Sequence, residues 1–579
     1  MQRANDTAAG LGARTEPTPS PRRRLDLALR LALCAAALAG LVWGWTVFWF
    51  LCDDAFIAFR YVSNSQLGLG YTWNPPPFRP VEGYTSFLWV VLLDGVWRGL
   101  GVEPPLSANW LSLLFSIGSL GWIVAGVLRL PLSLGLARWR TALLALVLLG
   151  TLTNRTFLAW TSSGLETALF HFLLLGWVFC GLSWPRRGAF AGICLFGGLL
   201  PLARPDGLLF WAVTLALCGL RFAHQRRPRD LPAALPLLLP VLHVAWRRAT
   251  YGEWLPNTYY AKYVAPWPEA GLRYLAAFVL EYAWWIWIGM AGVACLRGLR
   301  GVRLDTFADR LRARDGAAAV ATLVSAALAA QLGYYTLVVG GDHFEFRVLQ
   351  YWVPLLLLSF PWLCERAGLS PRHTLAALAT LIALGWPLPW LHWWHTRSLT
   401  TRQETYELHY RVAPELPAAV RWYGAAWDEL EGWLIHHFVG MRHQEHKVLV
   451  LERVGRLPSR AIGMRLPTDG FPVLVAQVVG LPGWVLPRVA ILDWYGLNDP
   501  VIARTPAPAL RSEDRLMAHD RVPPAGYIEC FRPNLVELPT GAVGPLERGA
   551  DLTAEEIREC ERRFLAQVRR EPAPAAGGT

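Results

Sequence analysis

A succession of apolar runs, several long enough to cross a bilayer, fills the first two thirds of this chain, with short arginine-rich loops between them. The runs fall near 27–51, 107–128, 141–152, 164–183, 189–203, 207–220, 232–246, 273–296, 317–340, 348–363 and 373–391. Crossing a hydrocarbon layer of about 30 Å takes about 20 residues of helix. The shorter runs are therefore expected to tilt, to extend into their flanks or to be buried in protein. One span per run predicts a polytopic α-helical membrane protein with about eleven transmembrane helices. Charged residues make up 17% of the 579, against about 25% in soluble domains, and 54% are hydrophobic. Disorder, collagen, a coiled coil and a small disulfide scaffold are excluded, and a soluble multidomain enzyme nearly so.

The net charge of +12 would suggest nucleic acid in a soluble protein. Here the arginines lie between apolar runs, the basic loops lack interleaved aromatics, and no nucleic-acid partner is implied. Membrane topology explains the charge instead. With the N-terminus cytoplasmic, inner loops 129–140, 184–188, 221–230, 297–316 and 364–373 hold 17 Lys and Arg in 57 residues. Outer loops 52–106, 153–163, 203–207, 247–272 and 340–348 hold 9 in 106. The density ratio exceeds threefold, in the direction of the positive-inside rule. The expected location is the cell inner (plasma) membrane, multi-pass. Arg22, Arg23 and Arg24 before the first run also fit a signal peptide, but the run outlasts a typical h-region, and an uncleaved anchor is the better reading. An odd span count puts the C-terminus outside.

Four units are expected: a cytoplasmic, disordered tail over 1–26; a membrane domain over 27–391 with its first outer loop at 52–106; a small extracytoplasmic α/β domain over 392–570; and a disordered tail over 571–579. In the outer domain "HKVLVLERVG" and "RVAILDWYGLNDP" read as short buried strands. "TAEEIRECERRFLAQVRR" reads as an amphipathic helix with a Thr N-cap and an acidic first turn. Cys530 and Cys560 share this domain and are the candidates for a disulfide, although nothing in the sequence fixes their separation. His436, His437, His443 and His446 read as a solvated face rather than a metal site.

Ionisable groups beside a membrane are costly and point to function by default. Here they gather on outer loops. Asp53-Asp54 directly follows the first run, with Arg60 close behind. Adjacent carboxylates repel unless a proton, a cation or an arginine compensates. They are candidates for a general base, or for ligands of a divalent cation (Mg or Mn) that neutralises a phosphate. Helix capping is the plainer alternative. Further along the loop, Glu82 is a lone acid among aromatics, with Tyr84 beside it. Carboxylates flanked by rings suit a sugar, whereas the aromatics alone fit an interfacial belt.

Later outer loops add Glu166, then Arg204 and Asp206, then Tyr260 and Lys262, then Asp342, His343, Glu345 and Arg347. Arg204, Lys262 and Arg347 run against the positive-inside bias. An anionic ligand explains all three together; a structural ion pair, such as Arg204–Asp206, explains each singly. Gly340-Gly341 reads as a helix C-cap. No phosphate-binding glycine loop with Lys-Ser/Thr occurs, so no nucleotide is implied. A group transferred on this face must come from an activated, membrane-resident donor, and a polyprenyl-phosphate sugar meets that requirement.

"DDAFIAFRYVSN", "GLGYTWNP" and "VEGYTSFLW" together resemble the first extracytoplasmic loop of bacterial GT-C superfamily glycosyltransferases. Within these, the segments are similar to the mycobacterial terminal β-(1→2) arabinofuranosyltransferase family. "SGLETALF", "ARPDGLL", "WLPNTYYAK", "GGDHFEFR" and "DWYGLNDPVIAR" follow in that family's order. The resemblance implies a multi-span fold with a soluble outer domain and a lipid-linked donor, decaprenyl-phosphoryl arabinofuranose in the mycobacterial case. It also implies a catalytic acid in the first outer loop, here Asp53 or Asp54. The insertion "PPPFRP" and Tyr351, where relatives carry Pro, depart from the pattern and bear on the acceptor pocket.

The leading expectation is a membrane glycosyltransferase moving a sugar from a polyprenyl-phosphate donor to a cell-envelope polysaccharide or glycolipid. Asp53 or Asp54 would activate the acceptor hydroxyl or hold a cation, and His343 would assist proton transfer. Arg204, Lys262 and Arg347 would bind the donor phosphate. Arg60, Glu82, Tyr84, Glu166, Tyr260 and Asp342 would line the sugar and acceptor. A transporter or flippase of lipid-linked saccharides would place its charges near mid-span. An envelope assembly protein would leave Asp53-Asp54 unexplained.

Overall fold

The computed structural model describes residues 21–184, 188–225, 228–262, 265–299, 316–406, 413–508 and 510–570; the tails 1–20 and 571–579 lie outside the described residues. Five described helices are long and apolar enough to span a bilayer: Arg24–Val47, Pro104–Arg129, Ala317–Val339, Arg347–Arg366 and Pro371–Thr396. The run near 273–296, read above as one span, is two helices, Pro268–Glu281 and Trp285–Gly298, bent by 95°. Polar anchors sit at the break. The Tyr282 hydroxyl bonds the Thr156 amide and hydroxyl at 2.9 and 2.8 Å, and Glu281 pairs with Arg442 at 2.8 Å. Ala283, with φ 52°, turns the chain.

Arg140–Leu152, Thr167–Leu182, Ala189–Ala203 and Gly207–Phe222 are apolar but shorter than a span. Thr167–Leu182 is buried along most of its length, which relieves it of the need to match the bilayer. The run near 232–246 also divides, into a 3-10 stretch over Pro228–Leu238 and a helix over Leu239–Tyr251. Pro232 and Pro236 lack the N–H that a continuous α-helix needs. In place of about eleven spans, the described residues give five long apolar helices, a bent pair and several shorter apolar ones, the shortness of which was expected.

The two sets of loops separate along the helix Pro104–Arg129. At its N-terminal end Cys52 N–H donates to Ser163 O at 3.1 Å, Asn257 N–H donates to Glu82 O at 2.9 Å, and Arg204 pairs with Glu166 at 3.2 Å. At the other end Ser133 N–H donates to Glu365 at 3.1 Å, and Arg221 stacks over Trp184 at 5.4 Å. The loop 52–106 is itself largely helical, with helices Asp53–Gln66 and Phe87–Leu100; the second was not read from the sequence. Gly164, with φ +78°, turns against the first of these: a methyl there would lie 2.7 Å from the Ala55 Cβ.

The C-terminal segment carries a four-stranded sheet, β1 (Val473–Ala476), β2 (Ala490–Asp493), β3 (Leu535–Glu537) and β4 (Val543–Pro545), in the order β2-β1-β3-β4. β1 runs parallel to β2 and β3, and β4 is antiparallel to β3. The helix Ala554–Arg570 packs Ile557, Phe564 and Leu565 against Val473, Ala490 and Leu492. Thr553 and Glu556 close its N-terminus as a capping box. Cys530 and Cys560 form a disulfide. "HKVLVLERVG", expected as a strand, is the helix His443–Val454, whose first turn is closed by Glu445 accepting the Arg442 N–H at 3.0 Å. The apolar helix Pro387–Thr396 runs through the boundary placed at 391.

This segment shares one core with the first loop: Phe56, Phe59 and Tyr61 pack with Leu474, Ala476 and Ile491. Arg60, fully buried, donates to the carbonyls of Trp73 (2.6 Å), Gly483 (2.9 Å), Leu486 (3.3 Å) and Val489 (2.8 Å). It is a clamp between two distant parts of the chain, not a ligand for sugar as expected.

Candidate active site

Asp53 and Asp54 are adjacent on a helix, so their side chains diverge by about 100°. Asp53 turns inward. Its carboxylate accepts Gly480 N–H at 2.8 Å and Leu481 N–H at 2.9 Å, capping the helix Gly480–Val485. Burial pushes its pKa up to about 6, against the pull of Arg453 and the two amides. Asp54 turns outward and is half-buried; among the described residues its carboxylate has no hydrogen bond or ion pair. Asp53 thus engages both oxygens with backbone while Asp54 faces the other way. No group of three His, Cys, Asp or Glu side chains is arranged to hold a metal among the described residues.

Asp54 faces a polar cleft: Lys262, His343 and His519 are surrounded by protein yet keep accessible surface, and the Asp54 charge acts on Lys262 and His519. Lys262, at the end of the helix Asn257–Lys262, is exposed there and without an ion pair among the described residues. The cleft walls strip part of its water and lower its pKa; Asp54 and Asp342 pull the other way, and Arg347 and Arg204 add to the lowering. Its helix is anchored from two sides: Asn257 N–H donates to Glu82 O, and Asn257 Nδ2 donates to the carbonyls of Gly496 (2.9 Å), Leu497 (3.0 Å) and Asp499 (3.1 Å). The "WLPNTYYAK" and "DWYGLNDP" segments are therefore two halves of one contact.

The loop 340–348 forms another wall. Arg347 makes a two-pronged pair with Asp342 at 2.8 and 2.9 Å and lies 4.2 Å over the Phe344 ring. His343 Nδ1 donates to Phe438 O at 2.9 Å, which leaves Nε2 as the free lone pair. Burial, then the neighbouring His519 and His446, hold the His343 pKa well below its usual value, so the ring is neutral. Glu345 anchors this loop. It is fully buried and paired with Arg155 and, at 2.8 Å, with Arg442, which also holds Glu281 and Glu431 at 2.8 and 2.9 Å. Burial works against ionising Glu345, but the two guanidiniums outweigh it and lower its pKa. Burial pushes Glu431 up to about 7.

The remaining expected residues divide. Arg204 is already engaged with Glu166 (3.2 Å), Asp206 (3.1 Å) and the Tyr335 hydroxyl (2.7 Å). With Arg347 it lines a small cavity that also includes His171 and Tyr351. Glu82 is buried against Arg247, and Tyr84 is buried with its hydroxyl 3.4 Å from that of Tyr251. Both are packing residues here. Tyr260 lies under Arg504, 3.9 Å from ring to guanidinium. His437, His443 and His446 are buried rather than solvated. Arg155 and Arg442, the centres of the buried ion cluster, were not singled out in sequence. Neither was His519, which stands in a stretch with no motif. Arg155 did carry a signal, as one more cation on an outer loop.

No family model matches the chain, and no curated protein matches its sequence. Among solved structures it is similar to ArnT from Cupriavidus metallidurans bound to undecaprenyl phosphate, at TM-score 0.44 and 13% identity, over 81% of this chain and 85% of that one. It is similar to the apo state of the same protein at TM-score 0.40 and 13% identity, over 82% and 85%.

Proposed function

We propose that this chain is an integral membrane glycosyltransferase that transfers a sugar from a polyprenyl-phosphate donor to a glycan or glycolipid acceptor on the extracytoplasmic face. The observation that carries the reading is the uncommitted pair Asp54 and Lys262, which share one cleft at the loop end of the helices while Arg204 and Arg347 are already neutralised. A free carboxylate can take a hydroxyl proton, and a free ammonium can offset charge on a departing phosphate. The arginine-poor loops around the cleft support the outer placement, as does the Cys530–Cys560 disulfide, since such bonds persist in oxidising compartments. The motif resemblance makes arabinofuranose the first sugar to try.

In this reading Asp54 takes the proton of the acceptor hydroxyl as its oxygen bonds the anomeric carbon. The bond from that carbon to the phosphate oxygen breaks, and its electron pair stays on the phosphate. Lys262 meets the growing negative charge, with the field of Arg347 behind it. His343, neutral and with a free Nε2, accepts a hydrogen bond from the sugar. No step is routed through a cation. The test is turnover of decaprenyl-phosphoryl arabinofuranose, and of other polyprenyl-phosphate pentoses and hexoses, by the purified protein in detergent. An Asp54→Asn protein that works at the wild-type rate would falsify the assignment.

A further inference from the structure

The cleft has two sides of different origin. Asp54, Lys262 and His343 come from loops that join membrane helices. His519 and Tyr495 reach into it from the C-terminal segment. His519 lies with its ring 5.3 Å from that of His343 and 4.6 Å from that of Tyr495, and the charges of Asp54 and Lys262 both bear on it. Its Nδ1 donates to Met517 O at 2.6 Å, so its Nε2 lone pair is the free one. The turn that carries it is held in place: Met517 N–H donates to His437 O at 2.9 Å, and Arg515 donates to Ala265 O at 3.0 Å and stacks over Trp267 at 4.4 Å. Tyr495 is partly buried, and its hydroxyl has no protein partner among the described residues.

A lipid phosphate partitions into the bilayer and is expected to approach along the membrane helices, whose loops carry Lys262. The sugar end of a glycan or glycolipid acceptor stays in water, and the C-terminal segment supplies the other side of the cleft. Resting on the glycosyltransferase reading, we propose that His519 and Tyr495 form the acceptor subsite. His519 Nε2 accepts a hydrogen bond from one acceptor hydroxyl, and the Tyr495 hydroxyl contacts a second. Together they select which hydroxyl reaches Asp54. The ligand class is an uncharged, polyhydroxylated sugar terminus.

The test uses the full-length protein in detergent with decaprenyl-phosphoryl arabinofuranose and an octyl arabinofuranosyl disaccharide, with the panel of polyprenyl-phosphate sugars in reserve. His519→Asn is the informative variant, because its amide can still donate to Met517 O while Nε2 is gone. His519→Ala and Tyr495→Phe accompany it, and melting curves check that each is folded. The subsite predicts at least a tenfold rise in acceptor KM for His519→Asn and Tyr495→Phe, donor KM within twofold of wild type, and a mixture of linkages in the product. If His519→Asn matches wild type in acceptor KM and linkage while His519→Ala does not, His519 only holds its turn and the proposal falls, with the glycosyltransferase reading intact. If the wild-type protein turns over none of the donors, that reading fails and takes this one with it.

Discussion

Asp53 and Gly480 are fitted to one another: the Asp53 carboxylate accepts the Gly480 N–H at 2.8 Å, and a methyl group on Gly480 would sit 1.8 Å from the Asp53 carbonyl oxygen. The contact joins the start of the loop 52–106 to a residue 427 positions later. Gly480→Ala forces the two segments apart and is expected to cost about 1–3 kcal/mol. Asp53→Ala leaves two buried amides unpaired, at about 1–3 kcal/mol each. Thermal melting in detergent should show both variants destabilised, and an unchanged Asp53→Ala would refute the capping role.

Asp54→Asn should behave in the opposite way. Its side chain makes no bond that folding needs, so the melting temperature should stay at the wild-type value. Transfer should fall by about 10²–10⁴-fold, the usual contribution of a positioned base. Lys262→Met should weaken donor binding, read as a raised donor KM.

How much of this was legible beforehand follows from which forces act locally. The longer apolar runs and the capped helix Ala554–Arg570 depend on patterns within a few turns of chain, and the structure has them. The division of labour between Asp53 and Asp54 depends on Gly480, and no local pattern announces a partner that far away. Arg60, Glu82 and Tyr84 looked like ligand groups because buried charges and rings suit sugars, but the same side chains also suit a joint between segments. "HKVLVLERVG" misled because Val448 and Val450 alternate as a strand would, while the decisive capping by Glu445 lies just ahead of the apolar stretch.

Lowering the pH from 9 to 7 should stabilise the C-terminal segment. Burial pushes Asp499 up to about 6, and Glu445 and Glu561 up to about 8. A carboxyl whose folded pKa exceeds its unfolded value favours folding at low pH, and that advantage is lost as pH rises through the folded pKa. For Glu561 the loss is confined between its ordinary 4.5 and about 8, at up to about 1.4 kcal/mol per pH unit. Melting temperature should therefore fall from pH 7 to pH 9, and Glu561→Gln should flatten part of that slope; below about 6.5 the buried His443, His446 and His519, all held below the usual histidine pKa, act in the opposite direction. A curve identical to wild type would contradict the raised Glu561.

Reducing the Cys530–Cys560 bond, which closes a loop spanning 30 positions, should cost about 3–4 kcal/mol. Cys560→Ser should speed hydrogen exchange in the helix Ala554–Arg570 selectively. Equal exchange with and without reductant would contradict a stabilising bond.

The grip of Arg60 on Gly483, Leu486 and Val489 spans 423 to 429 residues. During synthesis the opening loop is made early, while what it must hold is still unmade. Its guanidinium then waits, hydrated, until almost the last part of the chain has emerged. The joint between the opening loop and the C-terminal segment therefore closes late. A chain released prematurely could form its long apolar helices and would still lack that joint.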